Sequence, residues 1–214
     1  MQLHLLSYPT YQASIPTSGQ HILAQQRADE ILVYQAYNHR IADYAIQHQR
    51  FGGAHFSYGR MSWIKPNFLW MMFRCGWGVK ANQERILGCW LKASFFEEIL
   101  VEAAYSSYAP AVYETHEAWQ TALGQREVRL QWDPDHDAHG NKMERRAIQL
   151  GMKGEFLKKY GQEEIQEIMD LTDVVREQKA KLDAGQLAEV MVPKEKVFLP
   201  QQEELSEKLG LNIL

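Results

Sequence analysis

The run from Arg60 to Trp77, RMSWIKPNFLWMMFRCGW, constrains this 214-residue chain more than any other part of it. It packs three Trp, two Phe, three Met and three cations into eighteen residues. The stretch after Pro66 is apolar on all sides, and a helix that is apolar all round is a buried one. A proline fits the first turn of a helix because its missing N–H costs nothing there. The pattern therefore predicts a buried helix that starts beside Arg60, Trp63 and Lys65. A helix start carries positive partial charge and free N–H groups. With Arg60 and Lys65 next to it, the place suits an anion such as a phosphate.

Charge narrows the classes. A net charge of −4 and a pI near 6.1 argue against a nucleic-acid binder driven by overall electrostatics. A local basic groove is compatible with the sequence: between Arg60 and Arg85 five cations stand against one acid, Glu84. The two cysteines, Cys75 and Cys89, lie in apolar surroundings without a CxxC spacing, and read as structural thiols of a reducing cytosol. No stretch approaches the roughly 18 apolar residues of a membrane span. The N-terminus has no basic n-region. A cytoplasmic chain without a membrane partner is expected. The phosphate-binding GxGxxG and GxxxxGK[ST] motifs, the HExxH zinc motif and the GxSxG elbow do not occur.

Residues 1–22, with Pro9, Pro16 and Gly19, read as a loosely ordered lead-in. Residues 23–192 read as the core domain and 193–214 as a C-terminal appendage. Glu30–Tyr37 is a β-branched and aromatic run, hence a strand. Asn38 is a good N-cap for a helix over 40–49. Residues 56–64 are extended and lead into the Pro66 helix, which Gly76 closes. Residues 85–91 form the next strand, 93–104 a helix and 113–123 a short helix. Strands follow at 127–132 and 146–151, separated by a polar loop over 133–141. A helix over 155–160 and a charged helical stretch over 163–189 complete the core. This order predicts an α+β single domain with a mixed, mostly antiparallel sheet flanked by helices.

Several side chains stand out on this frame. Alternation puts Gln35 and Tyr37 on one face of the first strand, where a polar group needs a partner or a ligand. Gln131, Asp133 and Gln149 lie on or beside the two late strands. If those strands approach the first one, Gln35, Gln131 and Gln149 line one cleft, with Arg145 and Arg146 as further cations. Asp133, Asp135, Asp137 and Glu144 follow an EF-hand spacing, but Ala138 stands where a glycine turn is needed and a strand precedes the loop. His136 and His139 in the same tract read as a solvated loop. No metal is expected.

Five pieces of the chain resemble the domain-of-unknown-function family 4291: residues 33–37 (VYQAY), 60–72 (RMSWIKPNFLWMM), 83–87 (QERIL), 128–134 (VRLQWDP) and 146–151 (RAIQLG). More loosely, the succession of elements is similar to the ADP-ribosyltransferase fold. There the first strand, a second motif and a late strand each give one residue to an NAD pocket. By position these are Gln35, the Arg60–Trp63 segment, and Gln131 or Asp133. This chain departs from that pattern: Gln35 stands where Arg or His is usual, Ser62 stands without a Ser-Thr-Ser, and Asp133 ends the late strand where a Glu is expected.

The resemblance implies a nucleotide-binding protein that transfers ADP-ribose from NAD to an unspecified acceptor. Asp133, Gln131 and Gln35 would be its catalytic residues. Arg60, Trp63, Lys65, Arg74, Tyr37 and Gln149 would hold the dinucleotide. A second reading is a non-catalytic RNA- or DNA-binding module built on the basic, Trp-rich 60–85 segment. A third is a protein-interaction domain whose contact surface is the acidic C-terminal helix, which deletion of residues 176–214 would remove.

Overall fold

Strand-forming residues dominate Glu30–Tyr37 and Arg85–Lys92, and these two runs pair over their whole length at the centre of the molecule. The computed structural model describes residues 3–212. In chain order the first elements are β1 (Leu5–Ser7), α1 (Tyr8–Ser14), β2 (Gly19–Gln20), β3 (Ile22–Ala24), β4 (Gln26–Arg27) and β5 (Glu30–Tyr37). Then come α2 (His39–His48), β6 (Ser62–Ile64), α3 (Phe68–Cys75), β7 (Arg85–Lys92), α4 (Ala93–Glu102), β8 (Ala103–Tyr105) and α5 (His116–Gln125). The remainder is β9 (Val128–His136), β10 (Lys142–Met152), α6 (Gly154–Lys159), β11 (Ile165–Asp170), α7 (Thr172–Asp183), β12 (Met191–Pro193), β13 (Lys196–Phe198) and α8 (Glu203–Leu209).

Two sheets carry the architecture. One is antiparallel, in the order β11-β7-β5-β4. The other runs β2-β10-β9-β8, with β6 also on β10, and mixes parallel and antiparallel pairs. The chain is therefore an α+β protein, as the order of its elements predicts. The first sheet is covered on both faces. Ile31 and Val33 pack with Ala42 and Ala45 of α2 and Phe95 and Phe96 of α4. Leu32 and Tyr34, which alternate with them, pack with α1, α3 and α7 through Tyr11, Phe68 and Val175. The two sheets are stitched at one point: Tyr34 N–H donates to Lys65 C=O at 2.8 Å, and Lys65 N–H donates to Tyr34 C=O at 3.1 Å.

The sequence-based reading of both termini is corrected. Residues 5–14 are not a loose lead-in, because Tyr8 and Tyr11 sink into the core at 4 % and 1 % exposure and β1 pairs with β12. The tail after Pro193 is not an appendage: β13 pairs with β3, and Phe198, Leu205 and Leu209 belong to the main core. Removing residues 176–214 would therefore open the core rather than detach a contact surface. Met1, Gln2, Ile213 and Leu214 lie outside the described residues. Residues 163–189 are not one helical stretch either. Ile165–Asp170 pairs with β7, which withdraws those residues from the helix that their charge pattern suggests. No helix among the described residues is long and apolar enough to cross a membrane.

Candidate functional site

At the seam of the two sheets lies a cleft of about 540 Å3. The C-terminal end of β5 gives Gln35, Ala36 and Tyr37 to its wall. Arg60 and Met61, with Ser62 and Trp63 of β6, form a second side. Lys65, with Met71 and Arg74 of α3, forms a third, and Gln131, Asp133 and Gln149 of β9 and β10 form the floor. All nine side chains singled out in the sequence as catalytic or ligand-binding line this one space. Gln83, Met61, Met71, Ala36 and Ser62 complete it.

The strand register explains the floor. Gln131 stands opposite Gln149, and Asp133 opposite Ala147. One face thus carries the amides and the carboxylate, while Leu130, Ile148 and Leu150 on the other face enter the core. Gln131 Nε2 donates to Asp133 Oδ1 at 2.8 Å, and Gln149 Nε2 donates to Oδ2 at 2.8 Å. Both carboxylate oxygens are therefore held by amides that strands fix in place. The β strand continues through Asp133 to His136, where the sequence suggests a polar loop.

Gly151 sets the position of Trp63. The two residues pair across β10 and β6, and a Cβ on Gly151 would stand 2.9 Å from Trp63 Cε2 and 2.8 Å from Met61 Sδ. Only a residue without a side chain lets the indole lie this close to the strand.

Gln35 is bonded on every side. Its Oε1 accepts from the Tyr160 hydroxyl at 2.8 Å, and its Nε2 donates to Tyr37 Oη at 2.9 Å and Ser62 Oγ at 3.0 Å. Tyr37 and Ser62 also hydrogen-bond to each other. Those two hydroxyls carry two protons, and one of them lies between the oxygens. The second is left for an acceptor in the cleft. The Gln35 amide is thus spent on Tyr160, Tyr37 and Ser62 within the protein.

Lys65 is 5 % exposed. Burial, helped by the nearby Arg74 cation, pulls its ammonium down to about 8, while the Cys75 thiol and the Asp133 carboxylate work in the opposite direction. No side-chain hydrogen bond or ion pair among the described residues compensates it. It stays charged at neutral pH. Arg60 and Arg74 are exposed at the rim, with Arg74 Cζ 5.7 Å from the Trp70 ring.

The helix start does not serve as an anion site, contrary to the sequence-based expectation. Pro66 precedes the cap residue and is not in the first turn of α3. Asn67 Oδ1 accepts from Trp70 N–H at 2.6 Å, and Glu195 Oε1 accepts from Phe68 N–H at 2.6 Å. The chain's own carboxyl group, that of Glu195, thus occupies the helix start and takes its first amide. Glu195 Oε2 also accepts from Tyr11 Oη at 2.7 Å and Asn67 Nδ2 at 3.2 Å. The cleft draws its positive charge from side chains alone.

Three other sequence candidates have different places. Arg145 is buried away from the cleft, on Asp135 Oδ2 at 2.7 Å and Pro16 C=O at 2.6 Å. Asp137 accepts from the backbone of His139 at 2.9 Å and Asn141 at 2.8 Å, so it shapes its own turn. His136 stacks on Phe73 with ring centres 3.5 Å apart. No group of three metal-ligating side chains converges among the described residues. Two residues that brace the walls and helix described above escape sequence reasoning. Tyr160 and Glu195 lie 125 and 127 residues from the groups they bond, and nothing local marks either of them.

Fold and cleft together define an α+β protein with a polar, cation-rimmed cleft between two sheets. The profile of the family described as Domain of unknown function (DUF4291) matches residues 21–198, so the chain belongs to that family. No curated protein matches the chain.

Proposed function

We propose that the cleft binds a nucleotide-type anion, and that its reaction is the transfer of ADP-ribose from NAD to an acceptor. The observation that carries this reading is the pairing, within one cleft, of a buried unpaired lysine and a carboxylate held by two glutamines. A buried cation without a counter-ion is costly unless a ligand supplies the charge. The pyrophosphate of NAD does so, bridging Lys65 and the rim arginines Arg60 and Arg74. Trp63 offers an indole face to the nicotinamide or the adenine.

The chemistry asks one more thing. As the bond from ribose C1′ to the nicotinamide nitrogen breaks, nicotinamide leaves with the bonding pair and positive charge develops on the ribose. Asp133, fixed before the event, stabilises that charge. A lone pair of the acceptor then forms the new bond to C1′, and the acceptor's proton passes to solvent. The free hydroxyl proton of the Tyr37–Ser62 pair donates to a ribose oxygen.

Melting curves with NAD, ADP-ribose and mononucleotides test the binding. A ligand at a hundred times its Kd adds about 2.7 kcal/mol of stability. Lys65→Ala weakens binding by about 1–3 kcal/mol, as expected for a lost charge-assisted hydrogen bond. Asp133→Asn abolishes release of nicotinamide while binding persists. Unchanged affinity in a folded Lys65 variant, or full turnover in the Asp133 variant, removes the respective role.

One observation favours a second reading, a non-catalytic module for RNA or DNA. A further chamber of about 440 Å3, lined by Asn38, His55, Ser57 and Asn82, shares Tyr37, Arg60, Met61 and Ser62 with the cleft. The two spaces adjoin along these four residues. A groove that tracks phosphates loses affinity steeply as salt rises, whereas a dinucleotide at Lys65 responds weakly. A salt titration separates them.

A further inference from the structure

The Lys65 amine is placed for more than holding an anion. Its backbone is pinned on both sides to Tyr34, at 2.8 and 3.1 Å, so β5 fixes where the side chain starts. The residue is 5 % exposed and lines the cleft, and its amine has no hydrogen-bond or ion-pair partner among the described residues. Tyr34 Oη and Trp70 Nε1 also lack partners, but they are sealed in the packing. The Lys65 amine is not sealed in this way, and it meets the cleft.

A lone amine in the wall of a cleft has two uses. Charged, it attracts an anion. Neutral, its lone pair attacks a carbonyl carbon. Desolvation and the Arg74 cation both disfavour the ammonium here, against the Cys75 thiol and the Asp133 carboxylate. Lysines in such surroundings are the ones suited to form Schiff bases. The rest of the cleft says which carbonyl compound fits. Arg60 and Arg74 give it an anion site apart from the lysine. Asp133 and the Tyr37 and Ser62 hydroxyls face the same space and offer hydrogen bonds to sugar hydroxyls. A volume of about 540 Å3 admits a ligand of sugar-phosphate size.

We infer that Lys65 captures a phosphorylated aldose as an imine, with the phosphate on Arg60 and Arg74. The amine lone pair forms a bond to the aldehyde carbon, and the carbonyl oxygen takes a proton to give a carbinolamine. That oxygen then leaves as water, which carries away the two hydrogens of the amine nitrogen. No oxidant or reductant is consumed. The capture uses the same cleft as the proposed transfer of ADP-ribose but does not rest on it: release of nicotinamide reports on one, labelling of the lysine on the other.

Ribose 5-phosphate with sodium cyanoborohydride tests it on the full chain at pH 8. Hydride fixes the imine as a secondary amine, and mass mapping of peptides reads the site. Lys65 is labelled about tenfold or more faster than Lys194 and Lys196, which are open to solvent. With ribose in place of the phosphate ester, that preference for Lys65 over the two exposed lysines falls about tenfold, as loss of charge-assisted contacts requires. Lys65→Arg keeps a cation, loses the nucleophile and loses the fast label. Labelling of Lys65 no faster than of Lys194 and Lys196 overturns the capture, and so does a fast label that persists in a folded Lys65→Arg protein. An equal preference for Lys65 with both sugars overturns the phosphate contact.

Discussion

Tyr160 donates its hydroxyl to Gln35 Oε1 at 2.8 Å, and so decides which way the Gln35 amide faces. With the oxygen taken, the amide nitrogen faces the Tyr37–Ser62 pair and the Trp63 C=O at the wall of the cleft. Tyr160 has no exposed surface, and its ring stacks with Phe51 at 6.0 Å between centres. Tyr160→Phe therefore keeps the packing and removes one donor to a buried acceptor. The expected loss is about 1–3 kcal/mol of stability, read from urea midpoints, together with weaker ligand binding at the Tyr37–Ser62 pair. A variant as stable as its parent would show that the amide is free to turn.

Local pattern fixed much of what surrounds this site. β5 ends at Tyr37 and Asn38 caps α2 through Ile41 N–H, as the residues themselves require. The alternation of Gln131 and Asp133 on one strand face, opposite Gln149, gathers the floor of the cleft. What stayed hidden depends on partners far along the chain. Glu195 sits between two lysines and reads as surface, yet it caps a helix 127 residues away. Ile165–Asp170 has the charge pattern of a helix, and only its pairing with β7 makes it a strand. The same distance effect takes Arg145 from the cleft to Asp135 and Pro16. Tertiary partners override local preference at each of these places.

Gly151 offers a test of Trp63 that leaves Trp63 itself in place. A methyl group there would meet the indole at 2.9 Å and Met61 Sδ at 2.8 Å, so the side chains must give way. Gly151→Ala shifts Trp63 off the cleft wall at a cost of about 1–3 kcal/mol from overpacking. If Trp63 stacks on the ligand, affinity falls although every polar group is untouched. Loss of stability with unchanged affinity would place Trp63 in the packing only.

Lys65 gives a prediction with a defined sign. Its ordinary value is 10.5, and burial lowers it to about 8 in the folded chain. Below pH 8 both states hold the proton and the folded state carries the full penalty. Between 8 and 10.5 the unfolded chain binds more protons, so stability rises with pH. At about 1.4 kcal/mol per unit, the rise is on the order of 3 kcal/mol. Lys65→Met should be more stable than its parent at pH 7 and should lack this rise, and on the proposed function it also loses affinity for the nucleotide. A parent whose urea midpoint is flat from pH 8 to 10.5 would contradict the buried charge.

Glu195 has the opposite slope. Burial raises its carboxyl from 4.5 to about 8, against the hydrogen bonds from Tyr11 and Phe68 N–H. From pH 4.5 to 8 the folded state keeps a proton that the unfolded chain has released, so stability falls as pH rises, and the penalty is complete above 8. Glu195→Gln removes this fall, and Glu195→Ala costs more at every pH because it strands the Phe68 amide and the Tyr11 hydroxyl. Lys65 and Glu195 sit at the same helix start, one before its cap residue and one on its first amide. Their penalties overlap near pH 8, where each group is about half ionised in the folded state and the two opposite slopes cancel. The pair therefore gives the stability profile a minimum near pH 8. In Lys65→Met with Glu195→Gln that minimum should vanish, which urea titrations across pH 5 to 10.5 would read directly. A minimum that survives in the double variant would have to come from other groups.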